Sequence, residues 1–281
     1  MYLGEWVKLT RFEHAVMLAF AVLIAETIAL GALPPPTLII ALSLLIPVFS
    51  EMGSFALNDY MDMETDKLNK KNRPLVKGTI KPKTALYFSL LALAISTALA
   101  YFVGVLAFII ALAFNAVAIL YNWKLKDLPL AGNAYIALTM AIPFIFGNFV
   151  VSIALSPVVL ILAVLGFVAG LAREIVKSAQ DMEGDIKARN SKTLPVVIGR
   201  KRALAVALGL YLSFIPLTAV PFAMGLDAAP LQLAFIGAAD GLILATCYLV
   251  ARRPKESYKF ARDASLAAFM LGMVGIFLAV L

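Results

Sequence analysis

The sequence predicts an all-α, multi-pass membrane protein: a bundle of nine transmembrane helices in two related halves, capped on one side by charged loops. Three observations carry this. Of the 281 residues, 62% are hydrophobic and 15% charged, whereas a soluble domain is about 45–50% apolar. Apolar stretches of about 18 to 25 residues, the length that a bilayer core requires, recur along the whole chain. The connections between them alternate strictly between short, nearly uncharged turns and longer, basic loops.

The candidate spans are 12–32, 37–57, 83–102, 105–122, 131–152, 157–177, 203–224, 228–250 and 261–281. Helices are the economical reading, because backbone exposed to lipid must satisfy its own hydrogen bonds. A β-barrel would instead show alternating ten-residue segments, and these runs are continuous. No short apolar segment with a small-residue cleavage site precedes them, so no removable signal peptide is expected. The whole chain, 1–281, reads as one transmembrane domain.

"ALPPP", Val103–Gly104, "ALSP" and "GLDAAP" are the neutral turns; 58–82, 123–130, 178–202 and 251–260 are the basic loops. Every Lys and Arg lies in the N-terminal segment, in a basic loop or in a helix turn bordering one. Positive charge marks the cytoplasmic face, which predicts a cytoplasmic N-terminus and charged loops, and an outside C-terminus. The formal charge of +7 is thereby explained without a nucleic-acid partner. Membrane lipid and phosphorylated substrates fit it better. Cys247 is the only cysteine, which excludes an intrachain disulfide, and His14 the only histidine, which argues against a His-rich zinc or haem site.

The second span ends in acids, then "NRPLVKGTI", then a new helix; the sixth ends in acids, then "KTLPVVIG", then a new helix. This echo is the basis for two related halves. In the first cluster Asn58, Asp62 and Asp66 are four residues apart. At about 100° per residue they drift about 40° per step and line one side of a helix end. Asp181 and Asp185 repeat the spacing, with Arg173, Glu174 and Lys177 on nearly the same face. Like charges four apart on a helix repel, and ionisable groups at membrane depth are costly and usually functional. Carboxylates without His or Cys suit Mg²⁺ rather than zinc.

Magnesium held by few carboxylates completes its shell with water and substrate phosphates. Lys70, Lys71, Arg73 and Lys77 follow the first cluster, and Lys124 and Lys126 occupy the middle loop. Metal and cations together stabilise charge on a departing phosphate group. The expected site is a diphosphate clamp at the cytoplasmic end of the bundle. Glu26 and Asp240 read as helix-packing groups. Glu51, seven residues before Asn58, shares its face, and Arg11, Lys8, Lys77, Lys126 and Lys177 are spare cations for a second phosphorylated ligand.

"NDYMDMETDKLNKKNRPL" resembles the first signature of the UbiA superfamily of intramembrane prenyltransferases, "DMEGD" its second, and "YNWKLK" at Tyr121–Lys126 its intervening Tyr/Lys loop. The resemblance covers nearly the whole chain. It implies an enzyme of the alkyl- or aryl-transferase type that binds a polyprenyl diphosphate through two Mg²⁺ ions, ionises the allylic C1–O bond and lets an acceptor attack. Residue by residue, it implies that Asn58, Asp62 and Asp66 hold one ion and Asp181 and Asp185 the other. It implies further that Arg73 and Lys124, with Lys77 and Lys177, take charge on the diphosphate, and that Arg11, Glu51, Tyr121 and Asn133 line the acceptor cavity. "REIVKSAQDMEGDIKARNSKTLPVVIG" and "GNAYIA" are most similar to the archaeal digeranylgeranylglyceryl phosphate synthases, which add a second geranylgeranyl chain to a glycerol-phosphate ether lipid; Ser178 stands where that subfamily's pattern leads one to expect Asp.

Three other readings make different demands on the sequence. An aromatic acceptor such as 4-hydroxybenzoate needs a small pocket for a ring and a carboxylate. A CDP-alcohol phosphotransferase needs D-x-x-D-G-x-x-A-R, which is absent. A secondary transporter would place its acids near mid-membrane, whereas these lie at helix ends on one side.

Overall fold

The computed structural model describes residues 3–69, 71–189 and 192–281. Among the described residues, nine helices are long and apolar enough to cross a membrane, and they fall on the nine expected spans. They are α2 (Phe12–Leu30), α3 (Leu38–Met61), α6 (Pro82–Val103), α7 (Val105–Trp123), α8 (Ala131–Val151), α9 (Pro157–Arg189), α11 (Arg200–Thr218), α13 (Pro230–Arg252) and α14 (Pro254–Val280). Short helices fill the connections: α1 (Leu3–Thr10), α4 (Met63–Leu68), α5 (Pro74–Lys77), α10 (Leu194–Ile198) and α12 (Val220–Ala223). The chain is therefore a multi-pass membrane protein.

Local chemistry sets the helix ends. The Thr37 hydroxyl accepts from the Ile40 backbone N–H at 3.3 Å and caps α3, just after three prolines that cannot continue a helix. The two halves use one device after their acidic clusters. In each, a short helix opens on a proline (Pro74, Pro195) and closes on a glycine of positive φ, +73° at Gly78 and +87° at Gly199. Glycine populates that region without the steric penalty of a Cβ. The echo in the sequence thus corresponds to a repeated turn.

The core falls into two apolar clusters among the spans and a third, of Leu9, Ala56, Leu75, Ile80 and Ala85, beside α1 and α5. Helices α2, α8, α9, α11, α13 and α14 surround one large apolar cluster, with Tyr211 and Ile175 fully buried. A smaller cluster joins α2 and α8 to α3, α6 and α7. Helices α2 and α8 belong to both and form the seam. The backbones at α8 and α9 approach so closely that a Cβ on Gly166 would stand 2.5 Å from the Met140 carbonyl oxygen. Small residues at such crossings are how membrane helices pack without a hydrophobic driving force between them. Glu26 and Asp240 do serve packing: Glu26 accepts from the Ser43 hydroxyl at 2.5 Å and Asp240 from that of Thr218 at 3.1 Å.

Four boundaries differ from expectation; the seventh span, expected over 203–224, is split, with α11 ending at Thr218 and α12 following at Val220. The sixth span continues as helix to Arg189, and the last begins at Pro254 rather than 261. Hydropathy marks where lipid ends, but Lys, Glu, Gln and Ala are good helix formers and carry the helix on into water. In the other direction, the first acidic stripe is not one uninterrupted helix. Helix α3 stops at Met61, and Asp62 leaves helical geometry (φ −95°, ψ 7°) before α4 begins. The hydrogen bonds Asp62 N–H to Asn58 O and Asp66 N–H to Asp62 O persist across the break, at 2.9 and 2.7 Å.

Candidate active site

The two acidic clusters, far apart in sequence, share one polar pocket of about 80 Å³ lined by Asn58, Asp62, Asp66, Asp181 and Asp185. It adjoins a larger cavity of about 570 Å³, and the two share Arg11, Asn58, Lys71, Arg73, Tyr121, Glu174, Lys177 and Asp181 in their walls. The clusters meet because α4, hung on the end of α3, packs against the extended α9.

A chain of charges joins them. The Lys71 ammonium contacts Asp181 at 3.0 Å and Asp66 at 3.3 Å, one carboxylate from each cluster. Burial works against its charge, yet Asp181 and Asp66 outweigh burial and lift its pKa above the ordinary lysine value. The Arg73 Nε lies 3.7 Å from both Asp66 and Asp59. Asp59, 1% exposed at its side chain, accepts from the Arg11 guanidinium at 3.0 Å. Arg11 sits over the Phe55 ring at 4.0 Å, a cation–π geometry. Burial and the neighbouring Arg73 push its pKa down to about 10, against the pull of Asp59, Glu51 and Asp66. It also holds a left-handed backbone, φ +46°, a conformation that costs an arginine about 1–3 kcal/mol. The Asp59 pair and the ring contact hold it there.

Of the expected site residues, Arg11, Asn58, Asp62, Asp66, Arg73, Tyr121, Asn133, Lys177, Asp181 and Asp185 line the polar pocket, and Glu51 lines the large cavity. Asn133 donates to the Ser178 hydroxyl at 2.8 Å, joining α8 to α9. Two lysines are placed elsewhere. Lys77 is exposed at the end of α5, and Lys124 is exposed as the C-cap of α7. Lys126 stands where Lys124 was expected: it is 7% exposed and its ammonium meets Asp62 at 2.5 Å. A tight turn over Leu125–Asp127 swings it inward. Gly132 permits this, since a Cβ there would stand 2.9 Å from the Lys126 Cα. Lys70 lies outside the described residues.

Asp59 lies within the "NDYMDMETD" signature and Asn122 within "YNWKLK", but neither is among the expected site residues. Asn122, 3% exposed, accepts from the Asn58 side-chain amide at 3.0 Å. Tyr121 stacks on Tyr135 at 4.9 Å, and Tyr135 on Phe114 at 5.5 Å, which gives the cavity an aromatic wall.

A hard divalent ion fits this donor set. The pocket offers paired carboxylates and an amide oxygen, and one ammonium already reaches both clusters. Among the described residues no three carboxylate, thiol or imidazole groups converge to cage an ion by themselves. Magnesium does not need such a cage, since water and phosphate oxygens complete its shell.

The UbiA prenyltransferase family pattern matches residues 17–273. The digeranylgeranylglyceryl phosphate synthase of Thermococcus gammatolerans is 32% identical over 279 residues, 99% of this chain and 98% of that protein. A solved structure of a digeranylgeranylglyceryl phosphate synthase superposes with a TM-score of 0.75 at 26% identity, covering 99% of this chain and 98% of that one. A UbiA homologue from Archaeoglobus fulgidus, solved with DMAPP and Mg²⁺, has the same fold, with a TM-score of 0.66, 23% identity and coverage of 97% and 99%.

Proposed function

The chain belongs to the UbiA prenyltransferase family, and from that premise we propose that it transfers a geranylgeranyl group from its diphosphate to the free hydroxyl of geranylgeranylglyceryl phosphate. The observation that carries the proposal is the single pocket in which Asp66 and Asp181, from distant parts of the chain, share one cation. Full-length similarity to digeranylgeranylglyceryl phosphate synthases supports the acceptor.

Asn58, Asp62 and Asp66 would hold one Mg²⁺ and Asp181 and Asp185 a second, and the ions would supply positive charge to the departing diphosphate. Lys71, Arg73 and Lys126, already gathered around the acids, turn toward its oxygens. The allylic C1–O bond breaks with both electrons leaving on the diphosphate oxygen. The Tyr121 and Tyr135 rings face the resulting cation with their π-electrons. The apolar surround keeps water from quenching it. The acceptor oxygen then attacks C1, and its proton passes to Glu51 or to a diphosphate oxygen.

Offering geranylgeranylglyceryl phosphate and 4-hydroxybenzoate with geranylgeranyl diphosphate and Mg²⁺ tests this by product mass. The expected product is the digeranylgeranyl lipid. Prenylated hydroxybenzoate in its place overturns the acceptor and keeps the prenyl transfer.

The active pocket is proposed to face the cytoplasm, with the N-terminus on that side and Leu281 outside, because all the cationic loops flank it. Single cysteines at Thr79 and Asp227, introduced after Cys247 is replaced, should label from opposite faces with a membrane-impermeant thiol reagent. Labelling of both from one face would reverse the assignment.

A further inference from the structure

The diphosphate clamp leaves part of the large cavity unused. On the wall built by α2, α9 and α14 stand Arg173 and Arg262, which line the large cavity alone, and Lys177, at its border with the polar pocket. Arg173 and Lys177 share a single buried carboxylate, Glu174, at 3.3 and 3.1 Å. The Arg173 Nε is buried without a hydrogen-bond partner. Arg262 donates to the neutral Gln180 side chain at 3.3 Å, and both are exposed enough to rearrange. Glu13 and Asp263 also border this wall, so its charge is balanced, and the guanidinium N–H groups are its distinguishing donors. Guanidinium groups match the geometry of a phosphate through paired N–H donors.

Two small apolar pockets border the cavity on different sides. One shares Leu18, Glu51 and Thr139 with it and lies among α2, α3, α6, α7 and α8. The other shares Phe269 with it and lies among α2, α8, α9, α11, α13 and α14. The second is built largely from the helices that carry Arg173, Lys177 and Arg262. The first adjoins α3, whose end carries the clamp residues Asn58 and Asp62.

We infer that Arg173, Lys177 and Arg262 form a second anion subsite for the phosphate monoester head of the acceptor lipid, whose isoprenoid chain leaves through the pocket at Phe269. The donor chain leaves through the pocket at Glu51. Two lipid substrates thus enter from different sides of the seam formed by α2 and α8, and their reacting ends meet in the cavity between. This rests on the prenyl transfer proposed above. It assigns Lys177 to the acceptor rather than to the diphosphate.

The test is steady-state kinetics of Arg173→Gln, Arg262→Gln and Gly272→Leu with geranylgeranyl diphosphate as donor. The acceptors are geranylgeranylglyceryl phosphate, the same ether lipid without its phosphate, and a short-chain glyceryl ether phosphate. Each Arg variant should raise KM for the phosphorylated acceptor by at least about tenfold, as expected for one lost charged hydrogen bond. It should leave the donor KM within about twofold and should erase an equal share of the preference for phosphate. A side chain at Gly272 meets nothing within 4 Å of its Cβ, so Gly272→Leu fills the second pocket without moving backbone. It should raise KM for the long-chain acceptor and spare the short one. Equal rises in donor and acceptor KM would place the cations in the donor clamp. Equal rises for acceptors with and without phosphate would show that they do not read phosphate, and a Gly272→Leu effect confined to the donor would exchange the two chains. Each of these overturns the inference while the function stands. Wild-type protein that consumes donor but never prenylates the phosphorylated lipid would instead fail the functional reading itself.

Discussion

Replacing Asp62 or Asp181 by alanine is expected to lower prenyl transfer by at least about a thousandfold, roughly 4 kcal/mol of barrier. Each carboxylate does two things. It is a proposed metal ligand, and it neutralises a lysine that the fold holds in the pocket: Lys126 beside Asp62, Lys71 beside Asp181. Removal of either loses an ion; at Asp62 it also takes a carboxylate from the largely buried Lys126, whereas Lys71 keeps Asp66 when Asp181 is lost. The nine spans are held by apolar packing away from the pocket, so the variants should purify in normal yield. Because the clusters act on one diphosphate, the double variant should be little worse than either single one. Transfer of labelled prenyl group by purified variants is the measurement, and retention of more than about a tenth of the wild-type rate would sink the shared clamp. Glu26→Gln and Asp240→Asn, whose partners are Ser43 and Thr218, should stay close to wild type.

Chelation of divalent ions is expected to abolish turnover completely and reversibly, with Mg²⁺ restoring it. The carboxylates gathered in the pocket cannot hold a diphosphate by themselves, since anion repels anion. Yet the protein should survive the treatment folded. Arg11, Lys71, Arg73 and Lys126 neutralise Asp59, Asp66, Asp181 and Asp62 when no metal is present. A thermal melt in detergent should therefore shift little with the chelator, while activity disappears. A chelated enzyme that still turned over would remove the metal from the mechanism. One that unfolded would give the metal a structural role.

Nine spans were legible because lipid demands long apolar runs, and the site was legible because acids at helix ends are too costly to be idle. What escaped the sequence had local physical causes. Helix α1 is eight residues long and carries the Glu5–Lys8 pair, so hydropathy gave it no signal. Asp59 was overlooked because it falls off the stripe of Asn58, Asp62 and Asp66 by a quarter turn and faces Arg11 instead. Its place in the signature "NDYMDMETD" and an arginine next to the first span were its traces in the sequence. Lys124 and Lys126 are indistinguishable by composition. Which one enters the site depends on the turn at Leu125–Asp127 and on the room left by Gly132, and spacing encodes neither.

Helix α9 is 33 residues long, about 50 Å at 1.5 Å per residue, whereas the hydrocarbon core of a bilayer is about 30 Å thick. It therefore carries Asp181 and Asp185 beyond the lipid on one continuous rod, fixed along its length by its neighbours. The opposing acids hang differently, with α3 ended before Asp62 and Asp66 borne on a separate single-turn-and-a-half segment, α4. The clamp has one rigid jaw and one jaw on a joint. Adjustment to substrates of different bulk falls to the jointed side, and stiffening that joint would be felt as slower capture or release of diphosphate before it was felt as a change in the chemistry.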